Sequence, residues 1–558
     1  MLKPLTVVLG AVMVVLLVGP AFAQTVDTAW VRRHDGPGGL DDIGYAVAVD
    51  TSGNVYVTGG CKETDTYNDY TTIKYFPNGD TAWVRTYGGP GDGHDQALAI
   101  AVDDSGYVAL TGFSYGSGTD QDYATVRYYP NGDTVWARRY NGTGNSGDGA
   151  VDVATDGLGY LYVTGQSFGS GTDYDFATIK YEPDGDTAWV RRYDGPDNTG
   201  DNATAIAVDN SGNVCVTGFG VCWSEHPFDY VTIKYDPDGD TVWVRGYNGP
   251  GDGQDRASAI ATDGSGNVYV TGESVGIGTD EDYCTIKYIP DGDTAWVRRY
   301  NGTADSTDEA NAIAVDGSGN VYVTGRSYGV GTNFDYCTVK YDASGTEAWV
   351  RTYNGPADGY DNATAIAVDD SGNIYITGES GGIGSSGDYA TLSYDPEGVV
   401  RWVKRYDGPG NASDVAQSIA VDDSGNVCVT GYSHACVEMG CNDYATVKYV
   451  QTASGVRDET GDRERPSDFD VSQNYPNPFN PSTKIEFSLA KSGFVTLQIY
   501  DTLGRKVRTL VSEELFSGYK SVIWDGKNDN GEDVASGVYF YQLKVGDFSQ
   551  PKKMLLLK

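Results

Sequence analysis

The strongest constraint on this fold is a tryptophan that recurs at an almost constant interval. Successive copies are 53 residues apart, with a single interval of 54, and they are Trp30, Trp83, Trp136, Trp189, Trp243, Trp296, Trp349 and Trp402. Self-similarity at a fixed period of this length is typical of an array of equal structural units. The first 450 residues or so are therefore interpreted as one large repeat array rather than as several unrelated domains.

Each repeat contains four short segments with strand character, named a, b, c and d in chain order. Typical copies are AIAVD at 205–209, NVYVTG at 267–272, DYCTIKY at 282–288 and DTAWVRRY at 293–300. Asp-x-Ser-Gly-Asn joins a to b, and Pro-Asp-Gly-Asp or Pro-Asn-Gly-Asp joins c to d. Proline presets φ for a turn and Asp-Gly or Asn-Gly tolerates positive φ, so each repeat has two tight hairpins. The unit is predicted to be a four-stranded antiparallel meander.

Eight such units predict an all-β fold, an eight-bladed β-propeller of four-stranded antiparallel blades. The array begins with a d segment around Trp30 and ends with a c segment at 443–449. We therefore expect the first segment to complete the last blade, which leaves no exposed sheet edge between the two ends. A parallel β-helix is the alternative, but a 53-residue period with two hairpins fits it poorly.

Two nearly intact copies of one phrase carry a family resemblance. AIAVDGSGNVYVTG at 312–325 and AIAVDDSGNIYITG at 365–378 resemble the bacterial β-propeller repeat family called SBBP, which occurs in secreted and surface proteins. The resemblance covers about residues 25–450. It implies a propeller, but no activity, because the family has no single catalytic motif and a fold does not fix a function.

Charge divides the chain into two parts and limits its partners. The formal net charge is −39, from 39 basic and 78 acidic side chains. Residues 471–558 carry +2, with 11 basic and 9 acidic side chains, so the remainder carries −41. Such a negative field repels phosphate backbones and anionic lipid headgroups, which excludes nucleic acid or a membrane surface as the main partner. The contrast also indicates two domains.

The N-terminus has the pattern of an export signal. Residues 1–23 contain Lys3, an apolar run over 5–18 and Ala-Phe-Ala before Gln24, the order of a secretory signal peptide. No later apolar run reaches the roughly 18 residues needed to span a bilayer. The mature protein, with a propeller at 24–450, is expected to be secreted or extracellular, without a transmembrane segment.

A second, smaller domain follows the repeats. Residues 451–470 have the composition of a linker, and 471–558 contain short alternating segments at 483–489, 494–500, 506–511, 520–524, 537–545 and 552–557. Six or seven strands in so short a stretch predict a small immunoglobulin-like (Ig-like) β-sandwich.

The sequence of this domain is similar to two families. NYPNPFNP at 474–481, DTLGR at 501–505 and GVYFY at 537–541 resemble the type A sorting domain of type IX secretion substrates. WDGKNDNG at 524–531 is also similar to the Ig-like domain of flagellar hook-capping proteins. The first resemblance implies that the export machinery is a partner of this domain, and that the protein is attached to the outer cell surface.

One face of the propeller is predicted to carry the function. In a meander the b–c and d–a loops share a face, and all the length variation falls in b–c, which is longest in repeats four and eight. All four histidines also map to this long-loop face. Loops on a rigid scaffold concentrate binding residues. We therefore expect a surface glycan or a protein ligand to bind there, with these candidates: His34, His94, Trp223, Glu225, His226, His434 and Glu438.

The eight cysteines favour two disulfide hypotheses. Cys436 and Cys441 flank a short loop and are the first candidate pair, and Cys215 with Cys222 is the second. Disulfides persist in exported proteins. Cys284 and Cys337 occupy a slot that other repeats fill with alanine, which indicates small buried thiols.

No cofactor is predicted. Asp120 with Asp122, or Asp280 with Asp282, supplies closely spaced oxygens that Ca²⁺ accepts, but a calcium site needs about six to eight oxygens at one point. The repeated aspartates are more simply explained as turn formers.

The sequence favours a non-catalytic binding or display protein over an enzyme. No nucleophile elbow, zinc-ligand helix or phosphate loop is found in the sequence, and no catalytic or metal-binding residue is assigned. The alternative is a carbohydrate-active hydrolase, which needs two carboxylates about 5 to 10 Å apart. Its candidates are the acids that break the repeat: Glu225, Glu273, Glu309 and Glu379.

Overall fold

The computed structural model describes residues 25–37, 41–62, 67–91, 93–196, 198–220, 228–410, 412–434, 442–452, 456–458, 468–491, 493–515, 518–529, 533–546 and 548–557. Every helix or strand in these ranges is a β-strand, so the all-β prediction is confirmed. The described ranges contain no helix with the length and apolarity to cross a bilayer. The chain divides into two compact units, of which the larger is Asp27–Val450.

The larger unit is an eight-bladed β-propeller, as predicted. Each blade is a four-stranded antiparallel sheet in the order a-b-c-d. The a strands are β2 (Ile43–Val49), β6 (Gln96–Val102), β10 (Asp148–Thr155), β14 (Asn202–Val208), β18 (Asp255–Thr262), β22 (Asp308–Val315), β26 (Asp361–Val368) and β30 (Asp414–Val421). The b strands are β3 (Val55–Lys62), β7 (Val108–Tyr115), β11 (Leu161–Phe168), β15 (Val214–Gly220), β19 (Val268–Val275), β23 (Val321–Tyr328), β27 (Ile374–Gly381) and β31 (Val427–His434).

The outer half of each blade consists of the c and d strands. The c strands are β4 (Asn68–Tyr75), β8 (Gln121–Tyr128), β12 (Tyr174–Tyr181), β16 (Asp229–Tyr235), β20 (Glu281–Tyr288), β24 (Phe334–Tyr341), β28 (Gly387–Tyr394) and β32 (Asn442–Thr452). The d strands are β5 (Thr81–Tyr87), β9 (Thr134–Tyr140), β13 (Thr187–Tyr193), β17 (Thr241–Tyr247), β21 (Thr294–Tyr300), β25 (Glu347–Tyr353), β29 (Val400–Tyr406) and β1 (Thr25–His34). Blades 1 to 8 are numbered from β2–β5 onward.

The last blade contains both ends of the array. Its strand order is β1-β32-β31-β30, so the first strand of the chain lies beside the last c strand. The contacts across this junction repeat those inside the array. The Tyr444 hydroxyl donates to the Thr71 carbonyl at 3.2 Å, as Tyr70 does to Ala124 at 3.0 Å one blade further on. The ring is therefore closed by the same bonds that join neighbouring blades.

The core lies between adjacent blades. One cluster combines Tyr162, Phe176 and Trp189 of blade 3 with Val216 and Ile233 of blade 4. Both faces of the b and c strands are buried in this way, which explains why these strands are apolar, aromatic or threonine-rich on both sides. Burial of apolar surface contributes roughly 25 cal/mol per Å² at each junction between blades. The stable unit is therefore the ring and not the single blade.

The smaller unit is a sandwich of two four-stranded sheets. One has the order β33-β38-β35-β34 and the other β37-β36-β39-β40. These strands are β33 (Val456–Asp458), β34 (Asp470–Val471), β35 (Thr483–Leu489), β36 (Gly493–Tyr500), β37 (Lys506–Leu515), β38 (Gly518–Trp524), β39 (Gly537–Val545) and β40 (Phe548–Leu556). Trp524, Tyr541 and Leu497 are fully buried between the sheets. β33 falls inside the stretch expected to be a linker, and it pairs with β38.

Candidate functional site

Several of the predicted binding residues lie outside the described residues. These are Trp223, Glu225, His226 and Glu438, together with Cys222, Cys436 and Cys441 of the disulfide hypotheses. Those parts of the long-loop prediction stay predictions. Cys215, the proposed partner of Cys222, is buried in β15.

The three described histidines have different neighbours. His34 ends β1, with its ring 5.9 Å from that of Tyr444, and burial lowers its pKa against the opposing charge of Asp42. The His94 ring meets Tyr67 edge-on at 5.1 Å, and its Nδ1 accepts a hydrogen bond from the Asn68 backbone. The His434 backbone N–H donates to Asp414. The contacts described here do not join the three into one site.

A ring of buried aspartates organises the long-loop face. One aspartate stands at or just before the start of each a strand, and all are at most 1% exposed: Asp42, Asp95, Asp148, Asp201, Asp255, Asp308, Asp361 and Asp414. Each accepts a backbone N–H from the glycine six residues before it, at 2.5–2.7 Å. Six also accept an N–H from the end of the adjoining b strand. These carboxylates therefore hold the d–a loop against the sheet.

Burial dominates the electrostatics of this ring. It raises the pKa of five of the carboxyl groups, while their hydrogen-bond donors oppose the rise: Asp148, Asp255, Asp308, Asp361 and Asp414. A carboxylate held by two or three backbone donors is a structural element rather than a free ligand. The ring was not predicted, although a constant Gly-x5-Asp spacing, with the aspartate twelve residues after each tryptophan, marks it in the sequence.

A second repeated device fixes the b–c loops in five blades. An arginine of the d strand pairs with the aspartate at the second position of strand c, at 2.5–2.9 Å, and also donates to a serine of strand b. The arginines are Arg33, Arg139, Arg192, Arg299 and Arg405. Because these charges recur from blade to blade, they stabilise the scaffold and do not distinguish one sector of the face from another.

Two positions, one near the start of strand a and one near the end of strand b, carry charge only in blades 5, 6 and 7. The residue after each ring aspartate faces a residue of strand b across the sheet, which gives the pairs Arg256 with Glu273, Glu309 with Arg326, and Asn362 with Glu379. The same two positions are uncharged in the other five blades, for example Gln96 with Phe113. Since a strands of neighbouring blades contact each other, these side chains lie at the inner rim of the long-loop face.

We call this set, Arg256, Glu273, Glu309, Arg326 and Glu379, the charged arc. Arg256 lies 3.3 Å from Glu273, and Arg326 lies 2.5 Å from Glu309. All five side chains are partly exposed. The arc thus places three carboxylates and two guanidinium groups at positions that are uncharged in the other five blades.

Aromatic rings flank both arginines of the arc. Arg256 lies over Phe219 and Phe228 at 5.6 and 5.4 Å. Arg326 lies 4.6 Å from the Phe334 ring. It also donates to the Tyr360 hydroxyl. Rings beside hydrogen-bonding carboxylates form a surface suited to a polar ligand that also has an apolar face.

Two carboxylates of the arc have raised pKa values. Burial raises the pKa of Glu273, and the nearby charge of Glu309 raises it further, against the effect of Arg256. Burial also raises the pKa of Glu379, which accepts a hydrogen bond from Ser413 at 2.8 Å. Raised pKa values of partly buried carboxyl groups are typical of functional sites. Glu273, Glu309 and Glu379 are three of the four irregular acids that sequence analysis singled out.

Two groups of aspartates lie close enough together to share a cation. They are Asp35, Asp42 and Asp443, and Asp388, Asp407 and Asp414, with ligand atoms within 4.8 Å of one another. In each group an arginine already pairs with the c-strand aspartate. The aspartates named in the calcium hypothesis behave alike: Asp122 pairs with Arg139 and Asp282 with Arg299, both at 2.9 Å.

Five described cysteines of the b and c strands are buried: Cys61, Cys215, Cys284, Cys337 and Cys428. Burial raises the pKa of the last four to about 12. A thiol with so high a pKa is almost never a thiolate at neutral pH and is chemically inert.

Comparison with known families supports the fold of both units. The SBBP β-propeller repeat matches residues 30–59, 295–335 and 349–384. The FlgD Ig-like domain matches residues 477–547. The protein thus contains SBBP β-propeller repeats followed by an Ig-like domain. No type IX sorting domain is matched, and no curated protein matches the sequence.

Solved structures with a similar architecture are distant in sequence. One is PorZ, a surface component of the type IX secretion system of Porphyromonas gingivalis, at 14% identity and a TM-score of 0.36, covering 93% of this chain and 76% of that one. Another is the β-propeller domain of the Trilobed protease from Pyrococcus furiosus, at 10% and 0.37, covering 63% and 93%. A third is an α-L-arabinofuranosidase from Fusarium graminearum, at 10% and 0.33, covering 54% and 91%. At these scores none bears on function.

Proposed function

We propose that the protein is a secreted or cell-surface binding module whose propeller holds a glycan at the charged arc. The observation that carries the proposal is the break in repeat symmetry: all charges at the inner-rim positions fall in three adjacent blades. In a repeat array the repeated residues serve the scaffold, so a localised departure indicates selection for a ligand. A neutral polysaccharide fits best, because its hydroxyl groups bond to carboxylates and its ring faces stack on aromatic side chains.

Binding to immobilised neutral polysaccharides tests this function. We expect the double variant Glu273→Gln and Glu379→Gln to bind about tenfold more weakly, since two charge-assisted hydrogen bonds become neutral ones. Glu397→Gln, an exposed acid in a c–d turn, is the matched control and should bind as the parent does. Equal binding by the double variant and the parent would overturn the assignment of the arc.

A carbohydrate-active hydrolase is the second candidate. The observation that favours it is the raised pKa of Glu273 beside a second carboxylate, Glu309, the combination that a general acid needs. Release of reducing sugar from the polysaccharides that bind would establish turnover. Retention without release supports the binding module.

The Ig-like domain is proposed to direct export and surface attachment, as its resemblance to sorting domains implies. Its match to the FlgD Ig-like domain supports only the fold. In a bacterium with type IX secretion, deletion of residues 471–558 should leave the propeller inside the cell envelope. A truncated protein that still reaches the medium would contradict this role.

A further inference from the structure

A cleft of about 480 Å³ opens on the face opposite the charged arc, between blades 2 and 3. Four hairpin turns frame it: the a–b and c–d turns of each blade. Its principal lining residues are Asp103, Tyr107, Arg127, Tyr129, Leu158 and Asp184. We call it the turn-face cleft. The turns on this face have constant length, so loop length gives no sign of the cleft.

The turn-face cleft is built from departures from the repeat. Tyr107 stands where six of the other seven blades have asparagine, and Leu158 where all seven others have serine. Turns of unchanged length with altered side chains at one junction indicate a local surface property, not a folding requirement.

Arg127 forms the floor of the cleft. It pairs with Asp103 at 2.8 Å, and it donates to the Gly159 and Pro183 carbonyls of blade 3 at 2.7 and 3.2 Å. Its side chain is only 4% exposed. The arginine charge is therefore neutralised within the wall of the cleft and does not repel a cation that enters.

The walls combine exposed apolar groups with exposed carboxylates. The Tyr107 and Tyr129 rings lie 5.4 Å apart, Tyr129 is 42% exposed and Leu158 is 79% exposed. Asp104 and Asp184 are exposed on the rim. An isolated turn has no folding reason to hold a leucine in solvent, and exposed apolar patches rimmed by polar groups mark binding sites.

We propose that the turn-face cleft binds a basic side chain, arginine or lysine, from a partner polypeptide. Arg127 lies 4.8 Å over the Tyr107 ring, so the exposed face of Tyr129 is the one that attracts a guanidinium or ammonium group. The aliphatic stem packs on Leu158, and Asp104 and Asp184 supply the opposite charge. With the Arg127–Asp103 pair neutral, these two carboxylates leave the cleft at −2. The net charge of −39 draws basic segments toward the whole protein, and the cleft selects one side chain among them.

Fluorescence anisotropy with two labelled peptides tests the proposal on the full chain. One peptide alternates glycine, serine and arginine, and the other has citrulline in place of each arginine, with the same shape but no charge. The variant Tyr107→Asn with Leu158→Ser restores the repeat consensus without changing the charge of the protein. We expect it to bind the arginine peptide about tenfold more weakly, because Tyr129 loses the ring against which it packs and the ligand loses one apolar contact.

The controls separate the cleft from the general acidic field. Ile383→Ser removes an equally exposed aliphatic side chain, 82% exposed, from the long-loop face and should bind as the parent does. The citrulline peptide should bind the parent protein no more tightly than the arginine peptide binds the consensus variant. Unchanged binding by the consensus variant would overturn the proposal, since nonspecific attraction would then account for the signal. Equal binding of both peptides by the parent protein would overturn the assignment of a cationic ligand. So would a neutral oligosaccharide that binds more tightly than the arginine peptide and no longer binds to the consensus variant.

Discussion

At the scale of single residues, Asp152 is the residue that most clearly lowers the stability of the scaffold. It occupies a bulge in β10 where the other blades have a small residue: Ala46, Ala99, Ala205, Ala259, Ala312, Ala365 and Ser418. Its carboxylate accepts the backbone N–H groups of Ile206 and Val153, at 2.9 and 2.8 Å. Burial nevertheless raises the pKa of Asp152 to about 6, because two donors do not replace the lost solvent.

Asp152→Ala should stabilise the protein at neutral pH, by about 1–2 kcal/mol. A carboxyl group whose folded pKa lies above its unfolded value destabilises the fold once it ionises. The penalty is absent below the unfolded pKa near 4 and complete above the folded value of about 6. The difference in free energy of unfolding between the variant and the parent, measured by urea denaturation, should therefore increase between pH 4 and pH 7. A gain that does not depend on pH would contradict this explanation.

At the scale of the element, the a–b hairpin has two interchangeable ways to satisfy its turn aspartate. In five blades a b-strand tyrosine hydroxyl is at hand, as in Tyr269, which donates to Asp263 at 2.9 Å. Blades 2, 4 and 8 lack that tyrosine, and there a c-strand cation pairs with the aspartate: Arg127 with Asp103, Lys234 with Asp209 and Lys448 with Asp422. A phenol and a cation thus replace each other without disturbing the hairpin.

Lys234→Met should cost about 2–4 kcal/mol more than Lys287→Met in the next blade. Lys234 and Asp209 lie 3.0 Å apart with side chains 3% and 2% exposed, so the variant leaves a buried carboxylate without its cation. Lys287 faces a hairpin whose aspartate is bonded to Tyr269, and its ammonium lies 5.0 Å from that ring. Chemical denaturation of the two variants gives the comparison, and equal losses would show that the tyrosine does not substitute for the cation.

The hairpins also show what sequence can and cannot predict. Tryptophan spacing and turn residues determine the blade number and the strand order, because both depend on local patterns repeated eight times. The charged arc and the turn-face cleft depend on which non-repeating side chains meet across blades, and Arg256 with Glu273 or Tyr107 with Leu158 become neighbours only in three dimensions. Loop length singles out repeats four and eight, whereas the side chains of the arc and the cleft depart from the repeat in segments of unchanged length.

At the scale of the whole molecule, the ring is as tightly joined at its seam, where β1 completes blade 8 and contacts blade 1, as it is elsewhere. Trp30, in the first strand, donates to the Pro77 carbonyl at 3.0 Å and lies 5.5 Å from the Tyr75 ring. Trp243, in the middle of the array, makes the same contacts at 3.1 and 5.6 Å with the following blade. Gly79 adopts a φ of +85° in its turn beneath Trp30, where a Cβ atom would lie 2.7 Å from the indole.

Trp30→Phe should therefore destabilise the propeller as much as Trp243→Phe, by about 1–3 kcal/mol each, through a lost hydrogen bond and a small cavity. The reason is that both indoles bridge two blades of one closed ring. Thermal and urea denaturation of the two variants provide the measurement. A near-zero effect at Trp30 beside a clear loss at Trp243 would mean that β1 does not hold the ring closed in solution.

The seam also sets the order of events during synthesis. β1 leaves the ribosome first, and its partner Asp443 is added 410 residues after Arg33. A polypeptide interrupted anywhere in between carries an unmatched strand with Trp30 uncovered, a feature that proteases and chaperones recognise. The eighth blade is therefore complete only in a chain that has been translated to the end of the array. Truncated chains expose the unpaired first strand, which marks them for degradation.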